Sequence, residues 1–217
     1  MTISNKNQVQ NYIIYLGCFI TCLSLALQIY ISLTLKETAP LFSLLKLSTF
    51  FTVVSNTLLT IYFLVIAISK DRLKWRSRIG IATALVSYMT LVAIVFQVLL
   101  SAVWKPTGLQ WWVGQFFHVL NPAFFIFYWG FFVPKKDIQW RQVPIWLSVP
   151  TIYYAYVLLL GSFSVGYPYP FLNVEKLGIA QVLLNGIGLL ITISMIALFY
   201  VGLAKLSRVF TKNNEVV

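Results

Sequence analysis

The chain has 217 residues, of which 59% are hydrophobic and 10% are charged, and its mean hydropathy is +0.84. No water-soluble domain stays dispersed with such a balance, so the composition excludes one and indicates a polytopic membrane protein surrounded by membrane lipids. The net charge of +11 does not indicate a nucleic-acid partner, because the basic residues cluster in short connections between apolar runs, where they contact anionic headgroups.

Six apolar segments are each long enough to cross about 30 Å of hydrocarbon as a helix. In chain order they cover residues 12–35, 43–69, 79–103, 113–133, 143–162 and 178–204. Runs of this length without strict alternation predict helices rather than barrel strands. We therefore predict an all-α fold in which residues 1–217 form a single six-helix transmembrane bundle.

The basic residues are divided unevenly between the two sides of this predicted bundle. Of 16 Lys and Arg residues, only Lys36, Lys46, Lys105 and Lys176 fall on one side. The positive-inside rule therefore places both termini in the cytoplasm. Short loops and a bacterial-like pattern favour a bacterial plasma membrane, and the sequence leaves the oligomeric state open.

The second predicted span carries a stripe of polar residues. The stretch KLSTFFTVVSNTLLT places Ser48, Thr52, Asn56 and Thr60 at steps of four, with Ser55 beside them. Residues four apart share one face of a helix, so this stripe is expected to face the protein interior. Such hydroxyls often serve only in helix packing, but an asparagine in mid-span needs a partner.

The fourth predicted span contains the only histidine of the chain. Gln115, His118 and Asn121 follow one another at steps of three, and Pro122 comes next. Proline removes one backbone hydrogen bond, which frees the His118 carbonyl and predicts a local opening of the helix. An ionisable group at this depth indicates a functional site, with a structural histidine in a satisfied hydrogen bond as the alternative.

Carboxylates are missing from the predicted spans. The acidic residues Glu37, Asp71, Asp137, Glu175 and Glu215 all fall in predicted loops or the tail. Ion-coupled transporters usually place a carboxylate in mid-membrane, so this distribution weighs against secondary active transport. It also weighs against hard-metal sites within the bundle, and the sequence implies no metal and no organic cofactor.

Thr52 and His118 together have the chemistry of a nucleophile and its base. Both lie on spans that enter the membrane from the same side, so the two side chains can reach a similar depth if these spans are neighbours. A neutral imidazole can take the proton of a hydroxyl and return it to a leaving alkoxide. Asn56 or Asn121 could stabilise an oxyanion, and an amide, a tyrosine hydroxyl or a backbone carbonyl would have to orient the imidazole.

Four stretches resemble a known family. FFTVVSN, HVLNPAFFIFYWGFFVPKK, IWLSVPTIYYAYVLLLG and YPYPFLN with a following KLG are similar to the bacterial six-span membrane family called Pr-six-Pr. That family resembles the androgen-inducible membrane proteins of animals, which are intramembrane threonine hydrolases of fatty acid esters of hydroxy fatty acids. The resemblance covers about residues 12–204 and implies Thr52 as nucleophile and His118 as base. Thr49 is a second hydroxyl nearby.

The resemblance implies a lipid-like or fatty-acyl ester as substrate, with its acyl chains inside the bundle. Residues expected to line the binding site are Ser55, Asn56, Gln115, Asn121, Tyr153, Tyr154 and Asn185. The YPYP loop, made rigid by its prolines, is expected either to cover an outer-leaflet pocket or to form an ordered interfacial turn. The alternatives to a hydrolase are a binding or transport protein for an amphipathic small molecule and a structural membrane protein.

Overall fold

The computed structural model describes residues 3–34, 39–69 and 80–214. Within these ranges the backbone is helical and contains no strand, which confirms the all-α prediction. In chain order the helices are α1 (Ile3–Thr34), α2 (Pro40–Ser48), α3 (Phe51–Ile68), α4 (Ile81–Val95), α5 (Gly108–Gln115), α6 (Asn121–Phe132), α7 (Val143–Leu160), α8 (Val174–Leu177) and α9 (Ile179–Asn214). Several of the basic residues on which the predicted membrane orientation depends lie outside the described residues, namely Lys36, Lys70, Arg72, Lys74, Arg76 and Arg78.

Five helical stretches of the described chain are long and apolar enough to cross a membrane. They are Gln8–Thr34, Phe51–Ile68, Ile81–Leu100, Trp140–Phe163 and Ile179–Ser207. These helices are those of a multi-pass membrane protein. The fourth predicted span, 113–133, is helical but is not among the five. Its polar residues and Pro122 lower its hydropathy.

The second predicted span, 43–69, was expected to be one helix and is two. The hydroxyls of Ser48 and Thr49 bond to carbonyls three residues earlier in α2, each at 2.7 Å, and Phe50 is extended with φ −92° and ψ 118°. Hydroxyls that bond to their own backbone compete with the helix, and two of them stand in succession immediately before this break. The predicted stripe is therefore interrupted between Ser48 and Thr52, and Thr52 becomes the second residue of α3.

Helix α4 forms the centre of the bundle. It packs against α3, α6, α7 and α9, and its residues Val86 and Met89 are completely enclosed. On one side of this centre, α1 packs against α3, α5 and α6. The beginning of α3, the chain after the end of α4 and the loop before α9 meet at the same end of the bundle. The candidate site lies at this end.

Candidate functional site

The side chains of Thr52 and His118 meet inside the bundle. Thr52 Oγ1 lies 3.4 Å from His118 Nε2, and each side chain is only 8% exposed. Thr52 is carried by α3, whereas His118 belongs to a π-helical segment, Phe116–Leu120, between α5 and α6. The alternative nucleophile, Thr49, instead bonds its hydroxyl to the Lys46 carbonyl at 2.7 Å. Of the two hydroxyls, Thr52 is the one that reaches the imidazole.

The hydrogen bond made by Nδ1 of His118 determines which ring nitrogen carries the proton. Nδ1 lies 2.9 Å from the carbonyl oxygen of Gly114, one turn earlier in the helix. A carbonyl can only accept, so Nδ1 donates and Nε2 of the neutral ring presents its lone pair to the Thr52 hydroxyl. A backbone carbonyl therefore orients the imidazole, which was one of the three options predicted from the sequence.

Aromatic rings hold the imidazole in place. The ring of Phe96 stacks on His118 with centroids 3.9 Å apart and planes 12° apart, and Trp104 meets it edge-on at 5.9 Å. Residue 114 has to be small, because a Cβ there would lie 2.9 Å from Cζ3 of Trp104. The imidazole is thus confined to one rotamer with Nε2 directed at Thr52.

The helix opens locally in the turn before Pro122, as the sequence predicted. The N–H of Asn121 bonds to the carbonyl of Phe116, five residues back, so the Phe117 carbonyl loses its usual helical donor. Nδ2 of Asn56 lies 3.5 Å from this carbonyl and 2.8 Å from the carbonyl of Thr52. Asn56 therefore connects the turn that carries Thr52 to the turn that carries His118.

Asn121 continues this network and corrects one expectation. Its Nδ2 donates to Asn56 Oδ1 at 2.7 Å and to Ser24 Oγ at 3.1 Å. The amide donors of Asn56 and Asn121 are thus engaged with other groups, so they do not face a substrate as the predicted oxyanion donors. Both residues hold the helices together beside the Thr52–His118 pair.

Replacing Asn56 with leucine is expected to lower the stability of the protein by about 1–2 kcal/mol, because Asn121 loses a buried acceptor and the Phe117 carbonyl loses a donor. The thermal midpoint of the detergent-solubilised protein measures this effect. The matched control is Thr57→Val, since the Thr57 hydroxyl bonds only to Val53 in its own helix. Equal midpoints for the two variants would contradict the connecting role of Asn56.

The break before α3 leaves two backbone N–H groups near Thr52 without a partner in their own helix. Within α3 the N–H groups of Val53 and Val54 bond to the Phe50 carbonyl. Those of Phe51 and Thr52 come earlier in the first turn and have no carbonyl of the helix to bond. Such N–H groups at a helix start carry partial positive charge and suit an anionic oxygen. The nucleophile candidate therefore lies beside two amide donors.

An apolar cavity begins at Thr52 and lies between α3, α4, α7 and α9. Its empty volume, counted with its open mouth, is about 630 Å³, and the volume open to the centres of water-sized spheres is about 70 Å³, so the cavity is narrow. Its polar groups are Thr52, Tyr153, Tyr154 and Tyr169. The remaining lining residues are Phe51, Leu91, Val92, Val95, Leu100, Pro150, Phe171, Leu172, Gly186, Leu189, Leu190 and Ile193. The cavity suits an aliphatic chain with a polar group at Thr52.

The residues predicted to line the site fall into two groups. Tyr153 and Tyr154 line the cavity and donate their hydroxyl protons to the carbonyls of Thr49 and Val182. The others do not line it, namely Ser55, Asn56, Gln115, Asn121 and Asn185. Ser55 is fully buried with no hydrogen-bond partner for its hydroxyl in the described chain, and Gln115 is half-buried.

Asn185 acts on the loop before α9 rather than on the cavity. Its Nδ2 donates to the Phe171 carbonyl at 2.8 Å and its Oδ1 accepts from Gln181 at 3.0 Å. Phe171 itself lines the cavity. Asn185 therefore fixes the position of the YPYP loop.

Sequence reasoning missed Tyr169 as a site residue. Tyr169 belongs to the YPYP loop, is 8% exposed and lines the same cavity as Thr52, with its hydroxyl within hydrogen-bonding reach of the Thr52 hydroxyl. The two flanking prolines marked the loop as rigid but did not say which ring points inward. Tyr167, two residues earlier, packs its ring against Gly161 instead.

The fold and the site define a helical multi-pass membrane protein with a buried threonine–histidine pair at one end of an apolar cavity. Compared with known proteins, the chain matches no family model, no curated protein and no solved structure.

Proposed function

We propose that this protein is an intramembrane hydrolase of lipid-like esters, of the fatty acid ester of hydroxy fatty acid type, with Thr52 as nucleophile and His118 as base. The observation that carries the proposal is the 3.4 Å approach of Thr52 Oγ1 to His118 Nε2 at the end of an apolar cavity. The resemblance to the Pr-six-Pr family and its threonine hydrolase relatives supports the same assignment.

The membrane arrangement belongs to this proposal. Residues 113–133 complete a set of six spans, both termini lie in the cytoplasm, and the membrane is a bacterial plasma membrane. The positive charges of the predicted loops support this orientation, and it places the Thr52 end of the bundle in the outer leaflet. A lipid ester could then enter from that leaflet.

The reaction proceeds in two steps in this proposal. Thr52 Oγ attacks the ester carbonyl carbon while its proton passes to His118 Nε2, and the intermediate then expels the alcohol, which takes that proton. Water, deprotonated by His118, next attacks the acyl-threonine ester and releases the fatty acid, and the proton returns to Thr52. To be stabilised by the N–H groups of Phe51 and Thr52, the oxyanion would have to replace the Tyr169 oxygen, which lies within hydrogen-bonding reach of both.

The proposal also assigns a place to each half of the ester. The acyl chain fits the apolar cavity, since every lining residue beyond the tyrosines and Thr52 is apolar. The alkoxy oxygen has to lie on the His118 side of Thr52, because Nε2 gives it the proton. No side chain with a carboxylate is needed for this step, since Gly114 orients the imidazole.

Labelling with a fluorophosphonate probe tests the nucleophile. The wild-type protein should become covalently labelled at Thr52, and Thr52→Ala should abolish labelling. Thr49→Ala is the matched control and should label like wild type, because Thr49 bonds to Lys46 rather than to His118. Labelling that persists in Thr52→Ala would remove this residue as the nucleophile, and a wild-type protein that never labels would contradict the hydrolase proposal.

A further inference from the structure

The carbonyl of Thr49 loses its helical donor at the break before α3. In an unbroken helix this carbonyl would accept from the N–H of Val53, but that N–H bonds to the Phe50 carbonyl at 2.9 Å. The hydroxyl of Tyr153, on α7, takes the place of the missing donor at 2.5 Å. Thr49 is only 1% exposed, and a buried carbonyl without a donor is costly, so this bond removes a cost that the break would otherwise carry.

A second tyrosine of α7 reaches the same end of α2. Tyr156 lies three residues after Tyr153, so the two phenols share one face of the helix. The Ser48 hydroxyl gives its proton to the Leu45 carbonyl, so its oxygen accepts from the Tyr156 hydroxyl at 2.5 Å. Helix α7 therefore donates to two consecutive residues, Ser48 and Thr49, immediately before the break.

The ring of Tyr153 contacts the other side of the break. It packs against the ring of Phe51, the first residue of α3, with centroids 5.0 Å apart and planes 54° apart. One side chain thus binds Thr49, two residues before α3, and packs against the residue that opens it. Thr52 follows directly, with its hydroxyl 3.4 Å from Nε2 of His118. Because the residues on both sides of the break are attached to Tyr153, the backbone that leads into Thr52 has little freedom.

We infer that Tyr153 is a positioning residue for the nucleophile: by donating to the Thr49 carbonyl, its hydroxyl fixes the break before α3 and so places Thr52 opposite the imidazole. This inference rests on the proposed function and gives Tyr153 a role beyond contact with the substrate. The phenol keeps its proton throughout, so the atoms exchanged in the reaction are unchanged. Such a constraint matters for catalysis, because a misplacement of about 1 Å can lower a rate by about 10²-fold.

The test compares Tyr153→Phe with wild type and with Tyr88→Phe, using the full chain in lipid nanodiscs. Phenylalanine at position 153 keeps the ring in the cavity wall and removes only the bond to Thr49. In Tyr153→Phe, kcat for hydrolysis of a p-nitrophenyl ester and the rate of fluorophosphonate labelling should each fall about 10- to 100-fold. KM should stay at the wild-type value, because the apolar wall of the cavity is unchanged.

Tyr88→Phe is the matched control. The Tyr88 hydroxyl donates to the Trp146 carbonyl, which Pro150 leaves without its helical donor, so this variant also removes a phenol from a freed carbonyl. Tyr88 is 3% exposed and is not among the residues that line the cavity at Thr52. Its kcat and labelling rate should equal those of wild type, even where its thermal midpoint falls as far as that of Tyr153→Phe.

Hydrogen–deuterium exchange gives a readout that does not depend on activity. The backbone of residues 49–54 should exchange faster in Tyr153→Phe than in wild type, because the break opens more often once the Thr49 carbonyl has lost its donor. Tyr88→Phe should leave the exchange of this segment unchanged, since it keeps the ring that contacts Phe51.

Other results would overturn the inference. A wild-type kcat in Tyr153→Phe, an equal fall of kcat in the two variants, or an unchanged exchange rate of residues 49–54 would each do so. A rise in KM with kcat preserved would assign the Tyr153 hydroxyl to substrate binding instead. Failure of the wild-type protein to label or to hydrolyse esters would contradict the hydrolase proposal itself, whereas the exchange measurement would still decide whether Tyr153 fixes the break.

Discussion

Replacing His118 with glutamine is expected to lower kcat for ester hydrolysis by about 10²–10⁴-fold, the usual contribution of a positioned general base, with little change in KM. The side-chain amide of glutamine cannot take up the proton of Thr52. In the described chain, no carboxylate that could replace the imidazole is in contact with Thr52. His118 is not among the residues that line the cavity, so binding of the acyl chain should be preserved. Hydrolysis of a p-nitrophenyl acyl ester gives both constants.

Thr52→Ser should be measured in the same assay as His118→Gln. Serine keeps the hydroxyl at the same position, so a hydrolase should retain much of its activity, whereas a binding or transport protein would treat serine and alanine at residue 52 alike. A kcat in His118→Gln equal to that of wild type would contradict the role of the imidazole as base. A rise in KM with kcat preserved would assign His118 to substrate binding rather than to the chemical step.

The helices could be predicted because their signal is local. Long apolar runs bounded by charge give helices wherever the backbone has to satisfy its own hydrogen bonds. The π-helical segment around His118 was signalled by Pro122, whose missing N–H disturbs the preceding turn. The approach of Thr52 to His118 followed from polar residues on two spans that enter from one side, although only the fold could make these spans neighbours.

Other parts of the site had no strong local signal. Neither glycine nor proline marks the break between α2 and α3, and hydroxyls that bond back to their own helix, as those of Ser48 and Thr49 do, also occur inside an unbroken helix at Ser87. This break leaves the N–H groups of Phe51 and Thr52 without a carbonyl of their own helix. Because the sequence did not signal the break, the oxyanion donors were predicted at Asn56 and Asn121 instead. The inward direction of Tyr169 depends on Phe50 and on the anchoring of its loop, and both are contacts between distant parts of the chain.

Irregular backbone collects at the end of the bundle that holds the site. The π-helical segments Phe96–Leu100 and Phe116–Leu120 supply the ring that stacks on His118 and the histidine itself. The break at Phe50 supplies the start of α3. Irregular helical turns cost stability and persist mainly where they serve a site, and here each one contributes a group to the surroundings of Thr52.

Replacing Ile193 with phenylalanine is expected to shorten the acyl chain that the protein accepts. Ile193 is 1% exposed, lines the cavity, and lies seven residues beyond Gly186, or about 10 Å further from the Thr52 end along α9. If the larger ring excludes two methylenes, at about 0.8 kcal/mol each, kcat/KM for a long-chain ester should fall about 10- to 20-fold. A butyrate ester, which does not reach this depth, should react as in wild type.

Ile191→Phe provides the control for this change, because Ile191 lies on the same helix but is 56% exposed on the outer surface of the bundle. It adds the same volume without entering the cavity, so it should leave the chain-length profile unchanged. The ratio of long-chain to short-chain kcat/KM cancels differences in the amount of folded protein between variants. An equal ratio in Ile193→Phe and Ile191→Phe would place the acyl chain outside this cavity, even if Thr52 and His118 proved essential.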